Sequence, residues 1–261
     1  MALPLILDTD IGGDVDDLLA LAFLLASPEV DLRAVTTVYG DAQLRARIAL
    51  KALGLKGRSD IPVIAGAELT LDEERPLFSG KYDGEGILTP ADADLRPPVG
   101  RADQFIFDTV MARPRQVHIA AIGPLTNLGL ALLREPRVAE TVASIMIMGG
   151  VVGGHDRLDL PWVDYNFACD PEAAKVVLDC GAPIRIVPLD VSMQVRIFPA
   201  DLTAIRSAGD AFHQAIADQV EQYPYFPLQG WTYLHDPLAV ATLIRPDLVE
   251  WTPIHAQVET G

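Results

Sequence analysis

Five aspartates lie within ten residues near the N-terminus of this 261-residue chain: Asp8, Asp10, Asp14, Asp16 and Asp17. Apolar residues 3–7 precede them and leucines at helical spacing follow, so the cluster lies between a predicted buried strand and a predicted helix. Carboxylates crowded into a partly desolvated cleft repel one another, and their pKa values rise unless a cation is present. Calcium and magnesium prefer oxygen ligands, so the cluster predicts a site for one of these cations rather than for zinc.

A purely structural interpretation explains only part of the cluster. Aspartate is a good N-cap, and acidic residues are favoured in the first turn of a helix, which accounts for Asp16 and Asp17. It does not account for Asp8 and Asp10, because carboxylates are rarely buried without a partner. We therefore favour the metal site.

The elements that position the cluster follow from an alternation of short apolar runs and longer helical patterns. Residues 3–7, 32–38, 61–64, 117–122, 144–148 and 184–188 are predicted strands. Residues 17–26, 44–53, 127–133 and 172–178 are predicted helices. This order predicts an α/β fold: a single domain of residues 1–261 with a mainly parallel, doubly wound (Rossmann-like) sheet, helices on both faces and long active-site loops. Such sheets bind ligands at the carboxyl ends of their strands.

Three segments complete the predicted organisation. Residues 69–104, rich in proline, glycine and acidic residues, and residues 151–163 are predicted loop excursions near the site. Residues 254–258 alternate like a strand. Because the sequence stops soon afterwards at Gly261, we expect the chain to be a truncated form.

Charge and composition narrow the class of partner. Aspartate and glutamate outnumber lysine and arginine by 36 to 20, a formal net charge of −16 that repels nucleic acids and anionic membranes. The N-terminus does not have the pattern of a secretory signal, and no apolar stretch reaches the roughly 20 residues that span a bilayer. Cys169 and Cys180 are too few for a disulfide framework. We expect a reduced, cytoplasmic protein with a small-molecule partner.

Further motifs extend along most of the chain. They are, in order, Asp8-Thr9-Asp10 with a glycine turn and the Asp16-Asp17 pair; Val38-Tyr39-Gly40-Asp41; Gly123-Pro124-Leu125-Thr126-Asn127; Met148-Gly149-Gly150; Asp164-Tyr165-Asn166-Phe167 with Asp170-Pro171-Glu172-Ala173-Ala174; and His235-Asp236-Pro237-Leu238-Ala239. In this order they resemble the inosine-uridine-preferring nucleoside hydrolase family. The resemblance implies calcium-dependent hydrolysis of ribonucleosides to ribose and free base, by a homo-oligomer of two or four chains.

The resemblance also implies a role for each matching residue. The calcium ligands would be Asp10, Asp17, the main-chain carbonyl of Ile122, and Asp236, with Asp10 also the general base for the attacking water. The substrate ligands would be Asp16, Asp164 in place of the usual glutamate, Asn166, and Asp41 in place of a frequent asparagine. His235 would protonate the leaving base, although a hydrogen-bonded structural role for this histidine stays open.

These residue types suit the chemistry. Breaking an N-ribosidic bond builds positive charge on the ribosyl group, which fixed carboxylates oppose. Asp8 is expected to support the site from behind, and Asp14 has no assigned role. The aromatic residues that would supply a stacking surface for the base, or else belong to the core or to an oligomer interface, are Trp162, Tyr165, Phe167, Tyr223, Tyr225, Phe226 and Trp231. Two loops depart from the family: residues 82–86 lack its frequent histidine, and residues 151–163 lack its ribose-contacting asparagine.

Two other functions compete with hydrolysis. A haloacid-dehalogenase-like phosphatase also places Asp-x-Asp after a first strand, but that scheme has no place for the Asp16-Asp17 pair, and Lys175 is the only lysine beyond residue 81. A binding protein of the same fold would keep the cation and ribose ligands and sense a nucleoside without cleaving it. The presence of Asp10, which binding alone does not require, favours the enzyme.

Overall fold

Strands and helices alternate along the chain as its apolar periodicity predicts. The computed structural model describes residues 2–78, 83–153, 159–161 and 163–260. Its strands are β1 (Leu3–Thr9), β2 (Val30–Thr37), β3 (Val63–Ala65), β4 (His118–Ala121), β5 (Ser144–Met148), β6 (Ile184–Val187), β7 (Arg196–Ile197) and β8 (Thr232–Tyr233). Its helices are α1 (Asp16–Ala26), α2 (Ala42–Leu55), α3 (Ala102–Ala112), α4 (Thr126–Arg134), α5 (Arg137–Thr141), α6 (Tyr165–Cys169), α7 (Pro171–Leu178), α8 (Leu189–Ser192), α9 (Pro199–Arg206), α10 (Ala211–Gln222), α11 (Tyr225–Gln229) and α12 (His235–Ile244). The six predicted strands and four predicted helices are confirmed, with ends that differ by at most two residues.

One six-stranded sheet, in the order β3-β2-β1-β4-β5-β6, forms the centre of the fold. Every neighbouring pair in it is parallel, whereas β7 and β8 form a separate antiparallel pair. The chain proceeds outward from β1 to β3 on one side and from β4 to β6 on the other. The predicted doubly wound sheet is therefore confirmed, and its ligand crevice is expected at the carboxyl ends of β1 and β4.

Helices cover both faces of the sheet, because the side chains of a strand point alternately to its two sides. Leu5 and Leu7 of β1 pack in a first apolar cluster with α1, α2, α10 and α12. Ile6 packs in a second apolar cluster with α3, α4, α5 and α7. No helix within the described ranges is both long and apolar enough to cross a membrane.

The side chain of Asn127, near the start of α4, ties three strand ends together. Its Nδ2 donates to Oδ1 of Asp8 on β1 (2.8 Å) and to the carbonyl oxygen of Thr37 on β2 (3.0 Å). Its Oδ1 accepts from the backbone N–H of Ala67 beyond β3 (2.9 Å). Gly66 makes room for this amide, since a Cβ at that position would clash with it. The buried amide thus fixes the sheet edge from which the aspartate cluster projects.

These elements test two further predictions, a strand at residues 254–258 and a loop excursion at residues 69–104. Residues 254–258 form no strand, so that prediction is wrong. The described sheet ends at β3 and β6 without adding the tail; Val258 instead packs against the second apolar cluster while Ile254 is exposed. The excursion at residues 69–104 is largely irregular, with a single 3₁₀ turn at Pro90–Asp92, and ends where α3 begins at Ala102. Its residues 79–82 lie outside the described ranges.

Replacing Asn127 with alanine tests this cross-link. The carboxylate of Asp8 and the N–H of Ala67 lose these partners, and an unpaired buried polar group costs about 1–3 kcal/mol. We expect the free energy of unfolding, measured by urea titration, to fall by roughly 2–4 kcal/mol. The control Gln104→Ala removes an exposed hydrogen bond on α3 and should change it by less than about 0.5 kcal/mol. Equal unfolding midpoints for the two variants would contradict the role given to Asn127.

Candidate active site

A cavity of about 760 Å³ lies at the carboxyl ends of β1 and β4, where the sheet topology places a ligand. Its size is typical of a small-molecule site. The aspartates that line it within the described ranges are Asp10, Asp14, Asp16, Asp17, Asp164 and Asp236. Four of the five clustered aspartates therefore face a cavity, and an aspartate from the far end of the sequence joins them.

Two helix N-termini bring three of these carboxylates together. Asp16 and Asp17 are the first residues of α1, and Asp236 is the second residue of α12, which packs against α1. Ligand oxygens of the three lie within 4.8 Å of one another, and we call Asp16, Asp17 and Asp236 the aspartate trio. Val15 precedes α1 without a side-chain cap, so neither Asp16 nor Asp17 is an N-cap. The N-cap interpretation of these two residues is therefore wrong, although both are acidic residues in the first turn of α1, as the structural interpretation expects.

Burial makes the aspartate trio costly in its anionic form. All three side chains are buried, and burial, followed by the charges of neighbouring aspartates, raises the pKa of each carboxyl group well above its usual range. A divalent cation would offset this cost, and the side-chain donors are all carboxylate oxygens, the ligand type of calcium and magnesium. The trio therefore fits an oxygen-ligated divalent cation.

Asp10 follows β1 directly and lines the cavity, but it is not part of the aspartate trio. Its Oδ2 is 3.7 Å from Nη1 of Arg45. Burial raises its pKa, and the positive charge of Arg45 opposes that rise. Gly123 allows the end of β4 to approach, since a Cβ there would lie 2.8 Å from the backbone N of Asp10. Asp10, the predicted general base, therefore lies outside the trio and forms an ion pair with the buried guanidinium of Arg45.

Arg45 is not among the predicted site residues, although the sequence carries a signal for it. It lies on the face of α2 that also holds the buried residues Ala42, Ala46 and Ala49. An arginine is almost never fully buried without a partner. Helix α2 directly follows the Val38-Tyr39-Gly40-Asp41 motif. A charged residue on the apolar face of this helix therefore indicates an ion pair inside the site.

The last two residues of β1 support the site from behind the cavity wall. Asp8 is fully buried, its Oδ1 accepts from Thr36 Oγ1 (2.5 Å) and from the cross-linking amide, and burial raises its pKa to about 7. The hydroxyl of Thr9 donates to Oδ1 of Asp17 and accepts from the N–H of Ile11 (3.1 Å). These contacts fix one carboxylate of the trio and the turn that follows the strand.

Ile122, the residue that follows β4, lines the cavity. The N–H of Ile122 donates to the carbonyl oxygen of Asp8 (2.8 Å), which continues the contact between β1 and β4. Its own carbonyl oxygen accepts from Nδ2 of Asn166 (2.9 Å), which also donates to the carbonyl of Met148 (3.0 Å). None of the hydrogen bonds among the described residues uses Oδ1 of Asn166.

Two of the predicted substrate ligands are helix caps. Asp164 lines the cavity at the start of α6, and its carboxylate accepts from the N–H groups of Phe167 (3.1 Å) and Gly150 (2.6 Å). Asp41 caps α2 by accepting from the N–H of Leu44 (2.8 Å). Asp41 is exposed and is not one of the described residues that line the cavity, so we do not retain it as a substrate ligand.

His235 begins α12 and lines the cavity beside the trio. Its Nδ1 is 2.8 Å from Oγ of Ser192, and its ring lies 4.9 Å, centroid to centroid, from that of Tyr233. Burial lowers its pKa to about 4, so the imidazole is neutral near pH 7. A Ser192 hydroxyl that donates to Nδ1 leaves the ring proton on Nε2.

Aromatic side chains line the same cavity. They are Phe78, which was not predicted, together with Tyr165, Tyr223 and Tyr225. The hydroxyl of Tyr223 donates to Asp14 (3.0 Å), which gives Asp14 a partner and joins the end of α10 to the turn after β1. Among the other predicted aromatics, Phe167 packs against the second apolar cluster, Phe226 is buried in the first, and Trp231 makes an edge-to-face contact with Tyr233. Tyr82, Trp162 and residues 154–158 lie outside the described ranges.

Comparisons with known proteins decide the family. The sequence model of the family described as inosine-uridine preferring nucleoside hydrolase matches residues 5–261 of this chain. The chain belongs to this family. The pyrimidine-specific ribonucleoside hydrolase RihA of Salmonella arizonae is 33% identical over 269 aligned residues, which cover 100% of this chain and 85% of the relative.

Solved structures agree. The plant nucleoside hydrolase PpNRh1 matches with a TM-score of 0.84 at 32% identity, over 96% of this chain and 81% of that one. A purine-preferring ribonucleoside hydrolase from Gardnerella vaginalis matches with a TM-score of 0.87 at 30% identity, over 98% of this chain and 84% of that one. The nucleoside hydrolase is thus an enzyme that cleaves the N-glycosidic bond of ribonucleosides, and the haloacid-dehalogenase alternative falls away.

The raised pKa values predict how the stability of the nucleoside hydrolase depends on pH. Between about pH 4, where aspartates of the unfolded chain titrate, and about pH 7, the value for buried Asp8, the folded state binds more protons than the unfolded state. The stability of the metal-free enzyme is therefore expected to fall as pH rises through this window, by on the order of 2–4 kcal/mol.

Saturating calcium is expected to make that fall shallower, because the cation replaces the protons of the trio. Urea titrations at pH 5 and pH 7.5, with a chelator or with excess calcium, measure both slopes. Identical pH dependence in the two conditions would contradict the assignment of the trio to a cation.

Proposed function

We propose that this nucleoside hydrolase cleaves the N-ribosidic bond of ribonucleosides in a calcium-dependent reaction, with Asp10 as the general base for the attacking water. The observation that carries the proposal is the buried aspartate trio, which faces a cavity at the ends of β1 and β4 in a chain of this family. Such a trio is costly without a cation.

The proposed calcium ligands are Asp17 and Asp236 of the trio, the carbonyl oxygen of Ile122, and Asp10. Calcium is proposed over magnesium because it accepts irregular sets of carboxylate and carbonyl oxygens, whereas magnesium requires a near-octahedral shell. When bound, the cation would polarise a water molecule and the ribose hydroxyl groups.

Asp10 is proposed to take the proton of the attacking water. Its carboxylate faces the cavity and is not part of the trio, which supports a role in which one of its oxygens stays available to water. The remaining carboxylates oppose the positive charge that develops on the ribosyl group as the bond breaks. Fixed negative charge in a largely buried site is more effective at this task than charge in water.

The proposed ribose ligands are Asp16, Asn166 and Asp164. Asp16 belongs to the trio, so a hydroxyl bound to it would also lie close to the cation site. Asn166 offers its Oδ1, since its Nδ2 is engaged by two backbone carbonyls. The carboxylate of Asp164 keeps acceptor capacity beyond its two N–H donors.

His235 and the aromatic side chains are proposed to contact the base. A neutral His235 with its proton on Nε2 would donate a hydrogen bond to the departing base and so stabilise its developing negative charge, and the contact between Nδ1 and Ser192 is compatible with this tautomer. Full protonation of the base by His235 would require the imidazolium form of the ring. The names of the relatives differ in base preference, pyrimidine for one and purine for another. Both classes of nucleoside therefore belong in the assay.

We also propose that the enzyme works in the cytoplasm as a homo-oligomer of two or four chains. The family resemblance supports assembly. The net charge of −16 supports a small neutral substrate rather than a nucleic acid or an anionic membrane as the partner.

A panel of inosine, guanosine, uridine and cytidine tests the reaction directly. Free ribose is expected from at least one of them in the presence of calcium, with at least about 100-fold less after chelation because the site then lacks its cation. Measured binding of these nucleosides with no ribose after prolonged incubation would contradict hydrolysis and favour a nucleoside sensor.

Two substitutions separate the base from the metal ligands. Asp10→Asn keeps an oxygen but cannot accept a proton, so kcat should fall by about 10²–10⁴-fold with a much smaller change in calcium affinity. Asp17→Ala removes a trio carboxylate and should abolish calcium binding measured by calorimetry. An exposed aspartate, changed as Asp60→Asn, is the control. Normal turnover by Asp10→Asn would show that another group is the base.

A further inference from the structure

Arg45 is the one arginine or lysine among the described residues that line the cavity. Its side chain is 3% exposed and projects from the apolar face of α2. A guanidinium stays charged in proteins, so this charge has to be balanced by groups inside the site.

The guanidinium of Arg45 makes one hydrogen bond to the backbone and two ion pairs with carboxylates. Its Nε donates to the carbonyl oxygen of Tyr39 (2.8 Å), which fixes the plane of the group. Nη1 lies 3.7 Å from Oδ2 of Asp10, and Nη2 lies 3.9 Å from Oδ2 of Asp83, in the loop before α3. Both contacts are ion pairs whose distances are too long for hydrogen bonds. Nη1 is buried and has no hydrogen-bond partner among the described residues.

We propose that Arg45 is a positioning residue that holds Oδ2 of Asp10 away from the aspartate trio, so that Asp10 can contact the cation without giving both carboxylate oxygens to it and can still accept a proton from water. The inference rests on the proposed function and deepens it. The trio closes without Asp10, while Oδ2 of Asp10 lies on the side of the fixed guanidinium. With Arg45 removed, a bound cation would be the strongest positive charge near Asp10, and the carboxylate would be drawn toward it.

This arrangement divides the negative charge of the site between two cations. The trio would hold the divalent ion, and Asp10 would be shared between that ion and Arg45. A carboxylate drawn fully onto the metal loses the orientation that proton transfer requires, and displacements of about 1 Å at a reacting group cost up to ~100-fold in rate. Loss of Arg45 should therefore lower turnover without weakening the metal site.

The test compares Arg45→Gln with the wild-type enzyme on its best nucleoside. We expect kcat to fall by about 10–100-fold and KM to stay within about threefold, because the group acts through Asp10 and not on ground-state binding. Calcium affinity from calorimetry should be equal or higher, since a positive charge near the cation is lost. Arg45→Lys restores a charge and should recover part of the lost kcat.

Lys51→Gln is the matched control on the same helix. It breaks the ion pair of Lys51 with Asp92 (2.7 Å), neither of which lines the cavity, and kcat should be retained. If Arg45→Gln fails to fold because Asp83 is left unpaired, the double variant R45Q/D83N removes both buried charges and is held to the same criteria.

Three results would overturn the proposal: wild-type kcat in Arg45→Gln, a calcium affinity that falls in step with kcat, or a folded Arg45→Lys no more active than Arg45→Gln. An unaffected variant of an active enzyme refutes this inference alone. A wild-type enzyme that releases ribose from no nucleoside of the panel refutes the proposed function, and this inference with it.

Discussion

Like charges a few ångströms apart in a largely buried cavity repel one another strongly, and the N-termini of α1 and α12 bring three carboxylates within 4.8 Å. The helix dipoles offset only part of that repulsion. The remaining repulsion must be offset either by protons on the carboxylates or by a bound cation. Because both bind to the same carboxylates, the stability of the fold is linked to the chemistry of the site. A carboxylate set that is costly alone becomes a strong binding site for a hard divalent cation.

The surrounding structure holds these charges in place. Asn127 joins the strand ends of the sheet through Asp8, Thr9 holds Asp17, and Arg45 faces Asp10. All of these contacts form at the carboxyl edge of the parallel sheet, where strands from distant parts of the sequence end side by side. The central strands therefore determine where these side chains lie, and long loops add the remaining walls of the cavity.

The sequence predicts what is local or periodic. Residues 8–17 carry the aspartate spacing and the turn, and apolar periodicity locates six strands and four helices. Contacts between residues far apart in the sequence cannot be predicted from local patterns. Asp236 and Asp16 are 220 positions apart, and only the family resemblance predicts that they share one site. Asp41 lies just before a predicted helix, where aspartate is a good N-cap, and its carboxylate does cap α2. The apolar alternation at 254–258 forms no strand: Val258 packs against the second apolar cluster, whereas Ile254 is exposed.

Proton release on calcium binding tests the central claim most directly. If the trio carboxylates hold protons in the absence of a cation, binding calcium near pH 6.5 must expel them. Calorimetric titrations in buffers of different ionisation enthalpy give the number released per calcium ion. The account predicts release of about one proton or more per ion, decreasing as pH rises. Calcium binding with no proton release at any pH between 5 and 8 would contradict it.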